Sequence, residues 1–215
     1  MSYKLLVEKI GLRGGIMTRE EIRGYCKTLE IPYSSAIAYL LANRYLVRIL
    51  RGIFCVIGLE DRKRKVLPID FNEAISRALE IKKIGKWYFG LESAVKLNNI
   101  SHEYFGIDYI LTDRLKRPRP INILGRKVRF IAIKPALFEF GIIHGAVPYS
   151  DVEKTVLDIV YLGKYSSNSP AEIKYKIEGY LSLCSKSKIL RYSKHYPASV
   201  SNLLKEMDHD IKTIN

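Results

Sequence analysis

Much of what this 215-residue chain could do is excluded by what it lacks. It has only three cysteines, Cys26, Cys55 and Cys184. Their spacing fits neither a zinc ligand set nor a redox pair, and an odd number argues against a disulfide framework. Cys26 and Cys55 sit in apolar patterns and read as small core residues. The four histidines, His102, His144, His195 and His209, have no partners at metal-ligand spacing. No glycine-rich phosphate loop, no G-x-S-x-G and no H-E-x-x-H occurs, so the commonest signatures of nucleotide-dependent, esterase and zinc-peptidase chemistry are missing. Charges interrupt every early apolar run, which argues against a signal peptide. No apolar stretch approaches the ~20 residues of a membrane helix. These absences predict a soluble, cytoplasmic protein with no metal and no cofactor.

Negative charge is also in short supply. Lys and Arg number 36 against 22 Asp and Glu, for a formal net charge of +14. Residues 1–65 hold 13 of the cations and six of the anions, so half the excess lies in under a third of the chain. A field of this kind draws in polyanions and speeds their encounter.

What is present begins with a pattern from Thr18 to Ile57. Thr18 and Glu21 have the spacing of a capping box, which satisfies two orphan backbone donors at a helix start. Ile22, Tyr25, Cys26 and Leu29 then form one apolar face. Ile31-Pro32 breaks the helix, because the residue before proline disfavours the α region. Ser34 or Ser35 is placed to start a second helix with Ile37, Leu40 and Leu41 inward. A strand, a turn at Arg51-Gly52 and a second strand follow, over Leu46–Leu50 and Ile53–Ile57. Tyr3 to Ile10, with Leu5, Leu6 and Ile10 inward, supplies a preceding helix, ended by Gly11, Gly14 and Gly15. Together these parts predict a winged helix-turn-helix, the arrangement that lays one helix in a DNA groove.

The second helix suits a reading role. Its outer face holds Ser35, Ala38, Tyr39, Ala42 and Asn43. The alanines allow close approach, while Ser34, Ser35, Tyr39 and Asn43 offer hydrogen bonds to bases or phosphates. Arg44, Arg48 and Arg51 lie at the helix end and on the wing, where they can hold the DNA backbone. The same face could equally be ordinary solvated surface, and RNA could replace DNA as partner. The charge and the wing weigh towards double-stranded DNA.

The charged run from Glu60 to Lys65, followed by Pro68, reads as a linker over residues 60–69. It separates a DNA-binding domain, residues 1–59, from a second domain, residues 70–215. The second domain opens with a helix from Phe71 to about Ile84. Expected next are a short strand at Trp87–Phe89 and a helix at Leu91–Leu97. Strands follow at Tyr109–Thr112, Ile121–Leu124, Val128–Ile133 and Phe138–Ile143, with Leu124-Gly125-Arg126 as a hairpin turn. Asp151 caps a helix to about Leu162, and Ser169-Pro170 starts another. Helical patterns complete the chain at Ala171–Cys184, Lys186–Tyr192 and Ala198–Lys212.

A catalytic site is harder to assemble. A metal-dependent nuclease needs converging carboxylates with a nearby lysine. Glu172 and Lys174 have an E-x-K spacing but lie in a helical pattern. Glu92, Asp108, Asp113 and Asp158 show no spacing that predicts an acid/base pair. The chain is therefore read as a non-enzyme.

Three segments carry a family resemblance. Tyr88 to Ile100, YFGLESAVKLNNI, resembles the E-S-A-L helix of AbiEi-type antitoxins, with Val95 where that family has leucine. Val147 to Asp158, VPYSDVEKTVLD, resembles its E-K/R-T-x-x-D helix start. Tyr45 to Phe54, YLVRILRGIF, looks like its wing. The order of parts also matches over most of Thr18 to Leu162; no motif beyond Leu162 does.

The resemblance implies an antitoxin and autorepressor, binding its own promoter and countering a nucleotidyltransferase-like toxin. Glu92, Ser93, Thr155 and Asp158 then occupy family-pattern positions, for which structural roles are expected. The overall expectation is an α+β protein: an N-terminal winged helix, then a mixed α/β domain with terminal helices. A dimer on DNA is one option for its assembly. Rival readings are a plain winged-helix regulator with a ligand-binding or dimerisation domain, and a nuclease-like enzyme.

Overall fold

The computed structural model describes residues 2–101 and 103–213. His102 and the side chain of His209, both read above as non-ligands, lie outside the described residues. The fold is mixed α+β and divides into two compact units: residues 1–83 with 122–126, and residues 84–121 with 127–215. No described helix is long and apolar enough to cross a membrane.

The first unit runs α1 (Ser2–Arg13), β1 (Ile16–Thr18), α2 (Arg19–Thr28), α3 (Tyr33–Ala42), β2 (Leu46–Leu50), β3 (Ile53–Val56), α4 (Leu59–Arg64) and α5 (Phe71–Ile81). Thr18 Oγ1 accepts the Glu21 N–H at 3.2 Å, and Glu21 Oε2 accepts the Thr18 N–H at 2.7 Å. The capping box therefore closes on both sides and starts α2 as expected. Beyond α2, the Ile31 N–H donates to Cys26 O at 2.9 Å, and Pro32 opens the next helix. Leu6, Ile10, Ile22, Cys26, Ala36, Leu40, Leu46 and Phe54 form the core. Each fully buried aliphatic side chain among them contributes about 1.5–3 kcal/mol relative to exposure.

β1 and β2 both pair antiparallel with β3, giving the order β1-β3-β2. Gly52 closes the β2–β3 turn at φ +79°, a left-handed conformation that costs glycine little. The register shifts between Arg48 and Leu50. Such a bulge re-aims the outward side chains of a strand.

Several expectations need correction here. Leu5 is exposed rather than inward, and α1 runs through Gly11 to Arg13. Gly11 faces solvent, so its cost in the helix is only the ordinary entropic one. Neither Ser34 nor Ser35 caps α3; Pro32 precedes its first residue and no side chain caps it. Proline presets its own φ and supplies the helix entry without a cap. Residues 60–69 are not a plain linker, because α4 occupies Leu59–Arg64. Glu60, Lys63 and Arg64 face solvent, while the half-buried Arg62 stacks 3.9 Å over the Tyr45 ring, a contact from outside the run that composition alone could not supply. The unit boundary falls after Lys83 rather than at residues 60–69. The reason lies in α5, whose stripe Ala74, Ile75, Ala78 and Leu79 is buried, and which packs with β2.

The second unit holds most of a six-stranded sheet, order β6-β7-β5-β4-β9-β8. Its strands are β4 (Trp87–Phe89), β5 (Asp108–Thr112), β6 (Ile121–Ile123), β7 (Arg126–Ala132), β8 (Ile142–His144) and β9 (Pro148–Ser150). β4 runs antiparallel to β5 and parallel to β9, and β5 runs parallel to β7. The helices are α6 (Glu92–Leu97), α7 (Val152–Tyr165), α8 (Pro170–Leu181), α9 (Lys186–Ser193) and α10 (Ala198–Thr213). Leu124 and Gly125 both have positive φ in the β6–β7 turn, the geometry that two-residue hairpin loops require. The strand expected at Phe138–Ile143 is displaced. Pro135–Phe138 forms a 3-10 turn, and the strands are Ile142–His144 and Pro148–Ser150.

Candidate nucleic-acid interface and the buried network of the second unit

α3 divides its surface sharply. Ala36 and Leu40 are buried, Ile37 and Leu41 half-buried, and Ser34, Ser35, Ala38, Tyr39, Ala42 and Asn43 exposed. Six exposed positions at i, i+1, i+4, i+5, i+8 and i+9 make one continuous face. It carries no charge, two alanines and four hydrogen-bonding side chains. Such a face can approach base edges closely without desolvating an ion.

Two members of this face are preorganised. Tyr39 lies against the ring of Tyr3, centroids 4.8 Å apart, and stacks on Tyr45 at 6.0 Å. Asn43 Nδ2 donates to Tyr39 O at 2.9 Å. That bond orients the exposed amide. Arg44, Arg48 and Arg51 are all exposed. Arg44 stands at φ +53° directly after the α3 C-cap. The Arg48 guanidinium lies 5.7 Å from the centre of the Phe54 ring, which steadies its stem. Arg51 sits in the turn itself, where the Arg19 N–H donates to Gly52 O at 2.8 Å and ties the hairpin tip to the start of α2. The first unit thus presents an uncharged helix face and exposed arginines that follow it in the chain.

The second unit handles polar groups in the opposite way. α7 buries Glu153, Lys154, Thr155 and Asp158 among Val156, Leu157, Ile159 and Val160. Asp158 Oδ2 accepts the Tyr88 hydroxyl and Oδ1 the Tyr196 hydroxyl, each at 2.7 Å. Lys154 Nζ donates to the Tyr196 hydroxyl oxygen at 3.2 Å and stands 3.6 Å from Asp158 Oδ1. It also faces the rings of Phe140 at 4.5 Å and Tyr88 at 4.9 Å. Lys154 and Asp158 are both 0% exposed, so no substrate reaches either. Burial lowers the Lys154 pKa, and Asp158 opposes that without reversing it. Burial and then Asp158 raise the hydroxyls of Tyr88 and Tyr196 well above their ordinary range. Both therefore stay protonated and donate to the carboxylate.

Ser93, Thr155 and Glu92 divide between this framework and its border. Ser93 Oγ accepts the Tyr109 N–H at 2.7 Å. Thr155 Oγ1 donates to Asp151 O at 2.7 Å and lies 2.7 Å from Ser150 Oγ. Asp151 caps α7 by accepting the Lys154 N–H at 2.9 Å, and it also accepts the Tyr192 hydroxyl at 3.1 Å. Glu92 differs: its Oε2 is buried with no hydrogen-bond partner among the described residues. Glu172, the carboxylate of the E-x-K spacing, caps α8 by accepting the Ser169 N–H at 2.7 Å. The pair Glu172 and Lys174 therefore lies on a helix, not on a strand. No group of three metal-ligating side chains occurs among the described residues.

Sequence reasoning did not find Tyr88, Lys154 and Tyr196 as one network. The available signal was the i, i+4 pair Lys154 and Asp158 set in a helix otherwise apolar over 156–160. The tyrosines come from segments 70 and 38 residues distant from Asp158, and no local pattern announces them.

No family model matches the chain, and no curated protein matches it. Among solved structures it is similar to the Rv2827c protein from Mycobacterium tuberculosis, at 16% identity and a TM-score of 0.53. The match covers 94% of this chain and 75% of that one. At this identity the likeness concerns the fold alone.

Proposed function

We propose that the first unit is a winged helix-turn-helix that binds double-stranded DNA, with α3 as the reading helix and the β2–β3 hairpin as the wing. The observation that carries the reading is the uncharged, hydrogen-bonding face of α3, followed in the chain by Arg44, Arg48 and Arg51. A solvated helix in a chain of net charge +14 would ordinarily show some of that charge on its outer face; this one keeps it to the flanks. Base contacts then come from Ser34, Ser35, Tyr39 and Asn43, and phosphate contacts from the arginines.

We further propose that the chain is a cytoplasmic antitoxin and autorepressor, not an enzyme. Its own promoter is the DNA target, bound as a dimer, and a nucleotidyltransferase-like toxin is what it counters. Support for this step is the resemblance of the segments around Glu92 and Thr155 to AbiEi-type antitoxins. The test uses the full chain expressed beside the toxin encoded next to it. The wild type is expected to rescue growth and repress its promoter. The Arg48→Ala/Arg51→Ala variant is expected to lose repression and keep rescue when expressed from an unrelated promoter. A wild type that never rescues at matched expression defeats the antitoxin reading. Repression that survives the double variant defeats the wing.

A further inference from the structure

The second unit contains a cleft of about 600 Å³ between the β5–β7 region of the sheet and α7–α8. That volume lies within the range of small-molecule sites. We propose that this cleft binds a nucleoside phosphate.

Three features of the lining lead to that class. Five cations, Lys116, Arg117, Arg129, Lys134 and Lys176, line it against the single carboxylate of Glu92. An excess of that size selects an anion, and guanidinium groups suit phosphate oxygens by their fork geometry. Apolar walls from Ile131, Ile159 and Ile173, together with the Tyr109 and Tyr165 rings, ask for a flat, weakly hydrated body as well. Inorganic phosphate would leave those walls uncovered.

Glu92 supplies the third feature. Its buried Oε2 has no partner among the described residues, and an unsatisfied buried acceptor is costly. Glu92 itself is half-buried and lines the cleft, so a ligand N–H or O–H donor, such as a base amine or a ribose hydroxyl, satisfies Oε2 once the side chain turns that oxygen, closed to solvent in this structure, toward the cleft. Leu91, directly before Glu92 and also in the lining, holds φ 52° and ψ −136°. A β-substituted residue occupies that region only when its surroundings enforce it, and such strain gathers at ligand sites. Here it sets the start of α6, whose first residue is Glu92. Burial and then Glu92 raise the Tyr109 pKa, and the neighbouring Arg129 opposes them, so cation, carboxylate and phenol act on one another across the lining. Anion, planar body and donor together describe a nucleotide, recognised by side chains rather than by a glycine-rich loop.

The test is calorimetric titration of the full chain at physiological ionic strength with ATP, GTP, CTP and UTP. Tripolyphosphate, the free nucleosides and a short single-stranded oligonucleotide serve as comparison probes. At least one nucleotide is expected to bind saturably at one site, roughly ten-fold or more tighter than tripolyphosphate or its own nucleoside. Arg117→Ala/Lys176→Ala alters two exposed side chains and is expected to weaken binding roughly ten-fold or more. Glu92→Gln should change the ranking of the four bases, with the melting temperature reporting that the fold is kept. Arg48→Ala/Arg51→Ala should leave nucleotide binding unchanged, which separates this site from the DNA face. The proposal is overturned if no nucleotide saturates the chain, or if tripolyphosphate binds as tightly as every nucleotide. It is equally overturned if the oligonucleotide outbinds all four, or if the loss follows the hairpin arginines instead of the cleft cations.

Discussion

α3 of the first unit and α7 of the second are both central helices, yet they place their polar residues in opposite environments. α3 has no charged residue and turns serine, tyrosine and asparagine outward. α7 buries a lysine, a glutamate and an aspartate; tyrosine hydroxyls meet Lys154 and Asp158, while Glu153 accepts the Ser185 N–H and pairs with Lys188. An exposed polar face is cheap to maintain and free to meet a partner. A buried ionic pair is worth little in net stability but costs much when broken, because the remaining charge stays uncompensated. Substitutions in α7 should therefore act on folding, and those in α3 on binding.

The largest effect should come from Asp158→Ala. It leaves Lys154 buried without its counter-ion and two tyrosine hydroxyls without their acceptor. A loss of about 3–5 kcal/mol is expected, read by denaturant unfolding with a probe in the second unit. Adding Lys154→Met should recover a large part of it, since the stranded charge is then gone. If Asp158→Ala unfolds no more easily than the wild type, the network is not what holds α7 against Tyr88 and Tyr196.

The next effect belongs to α3. Asn43→Ala should weaken binding to the chain's own promoter by about 1–3 kcal/mol and leave random DNA nearly unaffected. Its melting curve should stay close to wild type, because the hydrogen bond lost is an exposed one to Tyr39 O. Equal losses on both DNAs would assign Asn43 to a phosphate.

Arg48→Ala/Arg51→Ala should weaken all duplexes alike. The salt dependence should flatten by roughly two units of slope, close to one per phosphate contact. An unchanged slope would remove the hairpin from the interface while leaving α3 in question.

The smallest effect concerns the cap that positions the helix before α3. Thr18→Ala should cost about 1 kcal/mol. Burial tends to raise the Glu21 pKa, but the Thr18 N–H and hydroxyl and then Arg13 outweigh it, so the net shift is downward from 4.5. A depressed carboxyl stabilises the fold fully above its unfolded value and loses that contribution as pH falls through its folded one. The first unit should therefore weaken below pH ~4.5, and Glu21→Gln should reduce that acid sensitivity. A variant with unchanged acid sensitivity would show that other carboxylates control it.

Local chemistry determined a good deal of this protein before any tertiary contact was known. The Thr18–Glu21 box, the Pro32 break, the glycine turn at Arg51-Gly52, the Asp151 and Ser169 caps and the outward face of α3 each depend on residues within a few positions of one another. Short-range spacing is enough to specify them. What the sequence could not decide depends on distance along the chain. The charged run of α4 gains its packing from a distant residue, the Tyr45 ring under Arg62, and the side on which α5 packs is chosen by β2. Asp158 acquires its role only when Tyr88 and Tyr196 are folded onto it. The cleft gathers Lys116, Arg129 and Lys176 from a loop, a strand and a helix, and a cavity is the space between elements, a property that only their packing creates.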